Sequence, residues 1–113
     1  VQGGGYTTGL VKKAGLAPIA LESNKGLLNT RSTLAMARTD VPNSATSEFF
    51  VNLVDNRSLD YQSPASPGYA VFGKVVNGLD VIDKIAALPT TSVNSFANVP
   101  TTDVTLQLAL QIK

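Results

Sequence analysis

Residues 68–78 read Gly68-Tyr69-Ala70-Val71-Phe72-Gly73-Lys74-Val75-Val76-Asn77-Gly78, and they lie where the chain changes from strand to helix. Residues 69–76 are rich in aromatic and β-branched side chains, which favour a half-buried strand. Residues 78–88 instead have apolar side chains at helical spacing, and Pro89 follows them. The apolar face consists of Leu79, Ile82, Ile85 and Ala86. This region therefore predicts a strand followed directly by one helix.

The flanking sequence predicts further strands. Residues 32–37 and 49–54 have strand-like composition, whereas residues 3–30 are rich in Gly, Asn, Lys and Ser and read as loop. At the C-terminus, apolar and polar side chains alternate, as in a strand with one core face and one solvent face. The apolar side of this strand would be Leu106, Leu108, Leu110 and Ile112, and the polar side Thr105, Gln107, Gln111 and Lys113. The pattern predicts a mainly β, antiparallel domain with one helix.

Length and composition limit the partners. The chain has 113 residues and is 43% hydrophobic, which is enough for one core, so we expect a single domain over residues 1–113. Charged residues make up 15% and the formal net charge is +1, which does not favour nucleic acid as a partner. No stretch approaches the roughly 18 consecutive apolar residues of a membrane span, so we expect no membrane partner.

The chain contains no Cys and no His. It therefore lacks the commonest general base, thiolate nucleophiles and the usual zinc ligands, and we expect neither a metal nor a cofactor. What remains is binding, or chemistry that moves no proton. The absence of Cys is compatible with either the cytoplasm or the bacterial periplasm, so the compartment stays open.

Three blocks of sequence resemble the bacterial single-domain cyclophilins. They are residues 2–7 (QGGGYT), residues 29–39 (NTRSTLAMART) together with 44–52 (SATSEFFVN), and residues 68–78. The resemblance extends over the whole chain and implies a cyclophilin-like antiparallel β-barrel of eight strands capped by two helices. It also implies a peptide groove and peptidyl-prolyl cis-trans isomerase activity. Because Val1 directly precedes the first block, the expectation is a processed or truncated product that lacks the first strands and first helix and retains one helix.

The resemblance also implies site residues. It assigns catalysis to Gln2, which would hydrogen-bond the peptide backbone, and to Phe50, which would form the floor of the proline pocket. Leu59 would flank that pocket, and Tyr69 stands where many relatives have His or Tyr. Alternation alone also accounts for Phe50 as a core residue, so that alternative stays open.

The groove edge would be formed by Ala37, Arg38 and Thr39, whose main-chain groups would pair with the substrate. Two positions depart from the family pattern. Glu48 stands where relatives commonly have Gln, and it replaces an amide donor with an acceptor-only carboxylate. Ser58 stands where many eukaryotic members have Trp, so cyclosporin-type ligands are expected to bind more weakly.

The catalytic arginine of the family lies upstream of the Gln-Gly-Gly block and is absent from this chain. Removing one preorganised donor typically costs about 10²–10³-fold in rate. We expect Arg38 and Arg57 to lie solvated on the surface rather than to replace it.

Three hypotheses follow. The first is a prolyl isomerase that acts on proline-containing peptides or unfolded proteins. The second is a noncatalytic proline-peptide binding module. The third is a structural fragment whose open sheet edges would recruit a complementing chain or form a swapped dimer.

Overall fold

The computed structural model describes residues 1–112 and contains a four-stranded antiparallel sheet and two short hairpins. The elements in chain order are β1 (Gln2–Gly3), β2 (Tyr6–Thr7), β3 (Val11–Lys12), β4 (Thr33–Met36), β5 (Phe49–Val51), a 3₁₀ turn (Arg57–Leu59), β6 (Val71–Lys74), α1 (Leu79–Ala86), β7 (Thr90–Val93) and β8 (Phe96–Pro100). The larger sheet has the strand order β1-β5-β4-β6, while β2 pairs with β3 and β7 pairs with β8. The prediction of a mainly β chain with one helix is confirmed for these residues.

The register of the sheet brings distant segments together at Phe50. Gln2 of β1 and Ala35 of β4 both lie opposite Phe50 of β5. The pairing of β4 with β6 shifts between Leu34 and Ala35, which marks a bulge. As a result, three strands that are far apart in sequence meet around one aromatic side chain.

The predicted helix is confirmed and is slightly shorter than expected. It begins after Gly78, whose φ of 81° is the left-handed conformation that glycine adopts without strain. Leu79, Ile82 and Ile85 are half-buried, but Ala86 is exposed. Arg31 anchors the helix by donating from Nη2 to Asp83 Oδ2 at 2.8 Å and from Nη1 to Oδ1 at 3.2 Å.

The centre of the molecule is polar. The buried apolar residues are small or β-branched, and they are Ala35, Ala45, Val51 and Ala70. The largest side chains that are fully buried are Asn29 and Asn52. Buried amides are stable only when they are hydrogen-bonded, so the interior depends on a specific polar network.

The predicted C-terminal strand is wrong for the residues that the structure describes. Residues 101–112 form no strand and are all exposed, and Lys113 lies outside the described residues. Leu108 and Ile112 are 69% and 92% exposed. Alternation marks the two faces of a strand, but a strand also needs a hydrogen-bonded neighbour, and residues 1–112 provide none for this segment.

The predicted strands near residues 32–37, 49–54 and 69–76 are confirmed as shorter strands. The predicted loop over residues 3–30 is confirmed for residues 13–30, apart from an isolated bridge between Ile19 and Ala45, but it is wrong for residues 6–12, which form the β2–β3 hairpin. The hairpin of β7 and β8 was not predicted. Within residues 1–112 the strands form separate sheets of four, two and two, and no closed barrel. None of the helical segments in this part of the chain has the length and apolarity needed to cross a bilayer.

Candidate functional site

A cavity of about 480 Å³ opens beside the β1 and β5 strands. This volume is in the usual range for ligand pockets. All eight site residues named from the sequence line it: Gln2, Ala37, Arg38, Thr39, Glu48, Phe50, Leu59 and Tyr69. Val1, Lys12, Ser44 and Thr46 line it too, although no role was predicted for them. The fold therefore gathers into one cavity predicted site residues that lie up to 67 positions apart in the chain, from Gln2 to Tyr69.

Two aromatic rings form the apolar part of the cavity. The rings of Phe50 and Tyr69 meet edge to face, with centroids 5.6 Å apart and an interplanar angle of 83°. This arrangement is the preferred geometry for an aromatic pair. Leu59 adds an aliphatic side chain to the same wall. The cavity thus has an apolar corner that a small saturated ring could occupy.

Arg38 supports this corner. The prediction that its side chain lies solvated on the surface is therefore wrong. Its guanidinium carbon lies 4.8 Å from the centroid of the Tyr69 ring. Nε and Nη2 both donate to the carbonyl of Gly68, at 3.0 and 2.8 Å, and Nη1 donates to the carbonyl of Thr39 at 2.8 Å. The planar fork of arginine allows it to stack on a ring and bind carbonyls at the same time. Arg57, by contrast, is 62% exposed and pairs with Asp60.

The main chain at the groove edge is partly occupied by internal hydrogen bonds. The N–H of Ala37 donates to the carbonyl of Glu48 at 3.0 Å. The N–H of Thr39 donates to Ser44 Oγ at 2.9 Å, so Ser44 fixes this part of the edge. Within the described residues, the Ala37 carbonyl and the Arg38 N–H have no such partner. Among residues 1–112, these two main-chain groups therefore carry no internal hydrogen bond.

A polar cluster of Gln2, Lys12 and Glu48 also lines the cavity. Glu48 Oε2 accepts from Gln2 Nε2 at 3.0 Å, and Glu48 Oε1 accepts from Lys12 Nζ at 3.1 Å. The Glu48 side chain is 22% exposed, while that of Lys12 is 67% exposed. Hydrogen bonding to Glu48, followed by attraction to its charge, raises the pKa of Lys12. The departure from the family pattern at Glu48 is therefore matched by a cation within the same cavity.

Buried amides hold the loop that carries Leu59 and Tyr69. Asn29 Nδ2 lies 3.1 Å from the carbonyl of Leu59 and 3.2 Å from the carbonyl of Tyr69. Asn52 Nδ2 in turn donates to Asn29 Oδ1 at 3.1 Å and to Thr33 Oγ1 at 2.9 Å. No buried side-chain nitrogen or oxygen of the described residues lacks a partner. The network thus fixes two cavity residues through their main chain.

Asp60 completes this network. Its Oδ1 accepts from the main-chain N–H of Asn29 at 2.6 Å. Burial on its own raises the pKa of the Asp60 carboxyl, but hydrogen bonds from Asn29 and Arg57 outweigh it and hold that pKa below the usual range. This role of Asp60 is difficult to predict from sequence, because Asn and Asp in a turn-rich stretch are also typical of solvent-exposed turns.

A second cavity of about 350 Å³ lies on the other side of the Arg38–Tyr69 pair. Arg38 and Tyr69 line both cavities, so their stacked side chains form the wall between the two. Ser58 lines the second cavity rather than the first. Among the residues described, no group of three or more Asp, Glu, His or Cys side chains is placed to hold a metal ion.

Comparison with known proteins gives a consistent result. Residues 1–109 match the family described as "Cyclophilin type peptidyl-prolyl cis-trans isomerase/CLD". A peptidyl-prolyl cis-trans isomerase of Acinetobacter baylyi is 52% identical over 113 residues, which is 100% of this chain and 59% of that protein. The peptidyl-prolyl cis-trans isomerase B of Escherichia coli is 48% identical over 109 residues, 95% of this chain and 66% of that protein. The chain thus spans roughly three-fifths to two-thirds of the length of these relatives.

Proposed function

Because this chain belongs to the cyclophilin-type peptidyl-prolyl cis-trans isomerase family, we propose that it rotates peptide bonds preceding proline, with the proline ring held against Phe50. The observation that carries the proposal is the single cavity lined by all eight residues that the family resemblance selects. Its substrates would be proline-containing peptides and unfolded proteins.

The proposed chemistry needs no nucleophile and no proton transfer. Rotation about an X–Pro bond must break amide conjugation, with a barrier of about 18–20 kcal/mol. A site lowers this barrier when it binds the twisted amide more tightly than the planar one. The ring pair of Phe50 and Tyr69 would hold the proline, while Gln2 and the groove edge would hold the flanking main chain. The absence of His and Cys is compatible with this mechanism.

We also propose that the described sheets are part of a cyclophilin-like β-barrel domain. Support comes from the family match over residues 1–109 and from the antiparallel pairing of every strand pair. A complementing chain or a swapped dimer would supply further strands. Cyclosporin-type ligands would bind across this cavity and the adjoining second cavity, but weakly, because Ser58 in the second cavity offers no aromatic surface.

A second candidate is a noncatalytic proline-peptide binding module. It is favoured by the state of the two cavity cations, since Lys12 is paired with Glu48 and three N–H groups of Arg38 are bound to carbonyls. In that state neither donates towards a prolyl nitrogen. The binding module would retain the aromatic corner and bind proline peptides, but it would not accelerate rotation about the X–Pro bond.

The two candidates differ in one measurement. Exchange spectroscopy by NMR on an Ala-Pro peptide reports isomerisation, and chemical-shift changes of the same peptide report binding. The isomerase predicts exchange above the uncatalysed rate, which corresponds to tens to hundreds of seconds. The binding module predicts shift changes without added exchange.

Matched aromatic variants test whether the cavity is responsible. Phe50→Ala should abolish exchange, whereas Phe72→Ala should retain it, because Phe72 is 55% exposed on β6 and lies outside the cavity. Leu59→Ala is a milder second cavity variant if Phe50→Ala fails to fold. If the Leu59 variant, the Phe72 variant and the unchanged chain gave equal exchange rates, the assignment of this cavity as the site of isomerisation would be refuted.

A further inference from the structure

We propose that Lys12 and Glu48 form a positioning pair that fixes the side-chain amide of Gln2, so that Gln2 offers its Oε1 oxygen to a main-chain N–H of the bound peptide. The inference rests on the proposed function and deepens it, because it states which partner donates and which accepts in one hydrogen bond between the cavity and the peptide. Lys12 is a positioning residue here, since it acts on Gln2 through Glu48.

The first step is the one-sided chemistry of Glu48. An ionised carboxylate can only accept hydrogen bonds. The group of Gln2 that faces Glu48 must therefore be its NH₂, and the observed contact joins Gln2 Nε2 to Glu48 Oε2 at 3.0 Å. The amide is planar, so this contact also sets the direction of Oε1. A glutamine at position 48 would allow either orientation of Gln2, because its own amide both donates and accepts.

The second step is that Glu48 has little freedom to move away. Its side chain lies directly against the main chain of Gly5, where an added Cβ would sit 2.5 Å from Oε1 and 2.6 Å from Cγ. Gly5 is therefore the residue that permits this close approach. The main chain of Glu48 is held as well, because its carbonyl accepts from Ala37 N–H at 3.0 Å.

The third step concerns Lys12, which fixes the remaining oxygen. Lys12 Nζ donates to Glu48 Oε1 at 3.1 Å and lies 5.2 Å from the centroid of the Tyr6 ring. Tyr6 and Lys12 are paired in register across the β2–β3 hairpin. Each oxygen of Glu48 thus has its own donor, one from a hairpin 36 residues away and one from the cavity wall. Without Lys12 the carboxylate can rotate and release Gln2.

Lysine variants provide the direct test. Lys12→Met removes the cation but keeps the length of the side chain, Lys12→Arg keeps the cation, and Lys13→Met is the matched control at the neighbouring exposed position. Because the Lys12 side chain is 67% exposed, we expect Lys12→Met to weaken peptide binding by only about two- to five-fold, through KM with kcat little changed. Lys12→Arg and Lys13→Met should remain within about 1.5-fold of the unchanged chain.

The polarity of the contact is tested with peptides in which an ester replaces one main-chain N–H next to the proline, on either side in turn. The ester that removes the N–H bound by Gln2 should weaken binding to the unchanged chain. The same ester should not weaken binding to Gln2→Met, because that variant lacks the accepting oxygen. Equal sensitivity of the unchanged chain and Gln2→Met to both esters would overturn the assignment of Oε1.

A readout that needs no peptide separates this inference from the proposed function. The side-chain NH₂ signals of Gln2 in ¹⁵N spectra should be well separated in the unchanged chain and in Lys13→Met, and should converge in Lys12→Met. If the chain bound no proline peptide while these signals behaved as expected, the proposed function and the substrate contact would fail but the positioning pair would stand. Signals that are the same in Lys12→Met and Lys13→Met would overturn the positioning pair.

Discussion

The guanidinium of Arg38 stacks on the ring of Tyr69, 4.8 Å from its centroid, and the same guanidinium binds the carbonyl of Gly68, the residue before that ring. Gly68 has a φ of 62°, and an added Cβ would lie 2.5 Å from the carbonyl oxygen of Leu59. The chain can therefore pass close to Leu59 only because residue 68 is glycine. Arg38 then holds both the main chain and the ring in place at the boundary between the two cavities.

Arg38→Lys should destabilise the protein and weaken peptide binding. A lysine has no planar group to stack on Tyr69, and its single ammonium cannot reproduce the fork that binds both carbonyls, so at least two contacts are lost. We expect about 1–3 kcal/mol of unfolding free energy to be lost, as measured by urea denaturation. Peptide titration should show weaker binding. Unchanged stability together with unchanged affinity would show that the stacked pair does not support the site.

Asn52→Ala should lower the free energy of unfolding more than the substitution of a surface asparagine does. Its amide is fully buried and donates to Asn29 and Thr33, and its own Oδ1 accepts from Asn56 Nδ2 at 2.7 Å. Removing it leaves buried partners unsatisfied, which costs about 2–4 kcal/mol. Asn77→Ala is the control, because Asn77 is exposed. A difference of less than 0.5 kcal/mol between the two variants, measured by thermal or urea unfolding, would contradict the role of the network.

Acid should unfold the protein partly through Asp60. The pKa of Asp60 is lowered in the folded state, so its contribution to stability is present above the unfolded pKa, about 3.9, and is lost as pH falls through the lower folded value. Asp60→Asn should remove this part of the acid dependence and leave stability flatter below pH 4. Urea unfolding at several pH values measures it. Parallel curves for the two proteins would be the contrary result.

The helix and the main strands could be predicted from local patterns, because the periodicity of side chains fixes them. The β7–β8 hairpin could not, since Thr90–Val93 is entirely exposed and has no apolar alternation. The turn between the strands uses Asn94 at φ 53°, a weak signal in sequence. The predicted C-terminal strand was wrong for the opposite reason. The alternation is clear in the local sequence, but a strand forms only where a neighbouring strand can pair with it.

The site was predictable only through family resemblance. Nothing in the spacing of Gln2, Phe50 and Tyr69 indicates that they meet, because their proximity follows from the pairing of β1 with β5 and from a long loop. The support from Asn29 and Asp60 and the pairing of Lys12 with Glu48 were missed, since hydrogen bonds across 31 and 36 positions leave no local pattern.

Ser58→Trp should strengthen the binding of cyclosporin-type ligands. Ser58 is exposed and lines the second cavity, so an indole can be accommodated there without displacing core residues. An added aromatic contact should improve affinity by about tenfold, which is roughly 1.4 kcal/mol. Titration with cyclosporin measures it, and Ser63→Trp outside both cavities is the control. Equal affinities of the two variants would argue against Ser58 as the cause of weak binding.

The exposed apolar residues of the C-terminal segment should cause the chain to associate at high concentration. Leu106, Leu108 and Leu110 are 67%, 69% and 75% exposed, and their alternation suits them to pair with an open strand edge of a second copy. Sedimentation should show a mass that increases with concentration. Replacing the three leucines with serine should remove that increase, whereas replacing Thr101, Thr102 and Thr105 with serine should not, because these residues carry little apolar surface. A constant monomer mass for the unchanged chain would contradict the prediction and weaken the case for a swapped dimer.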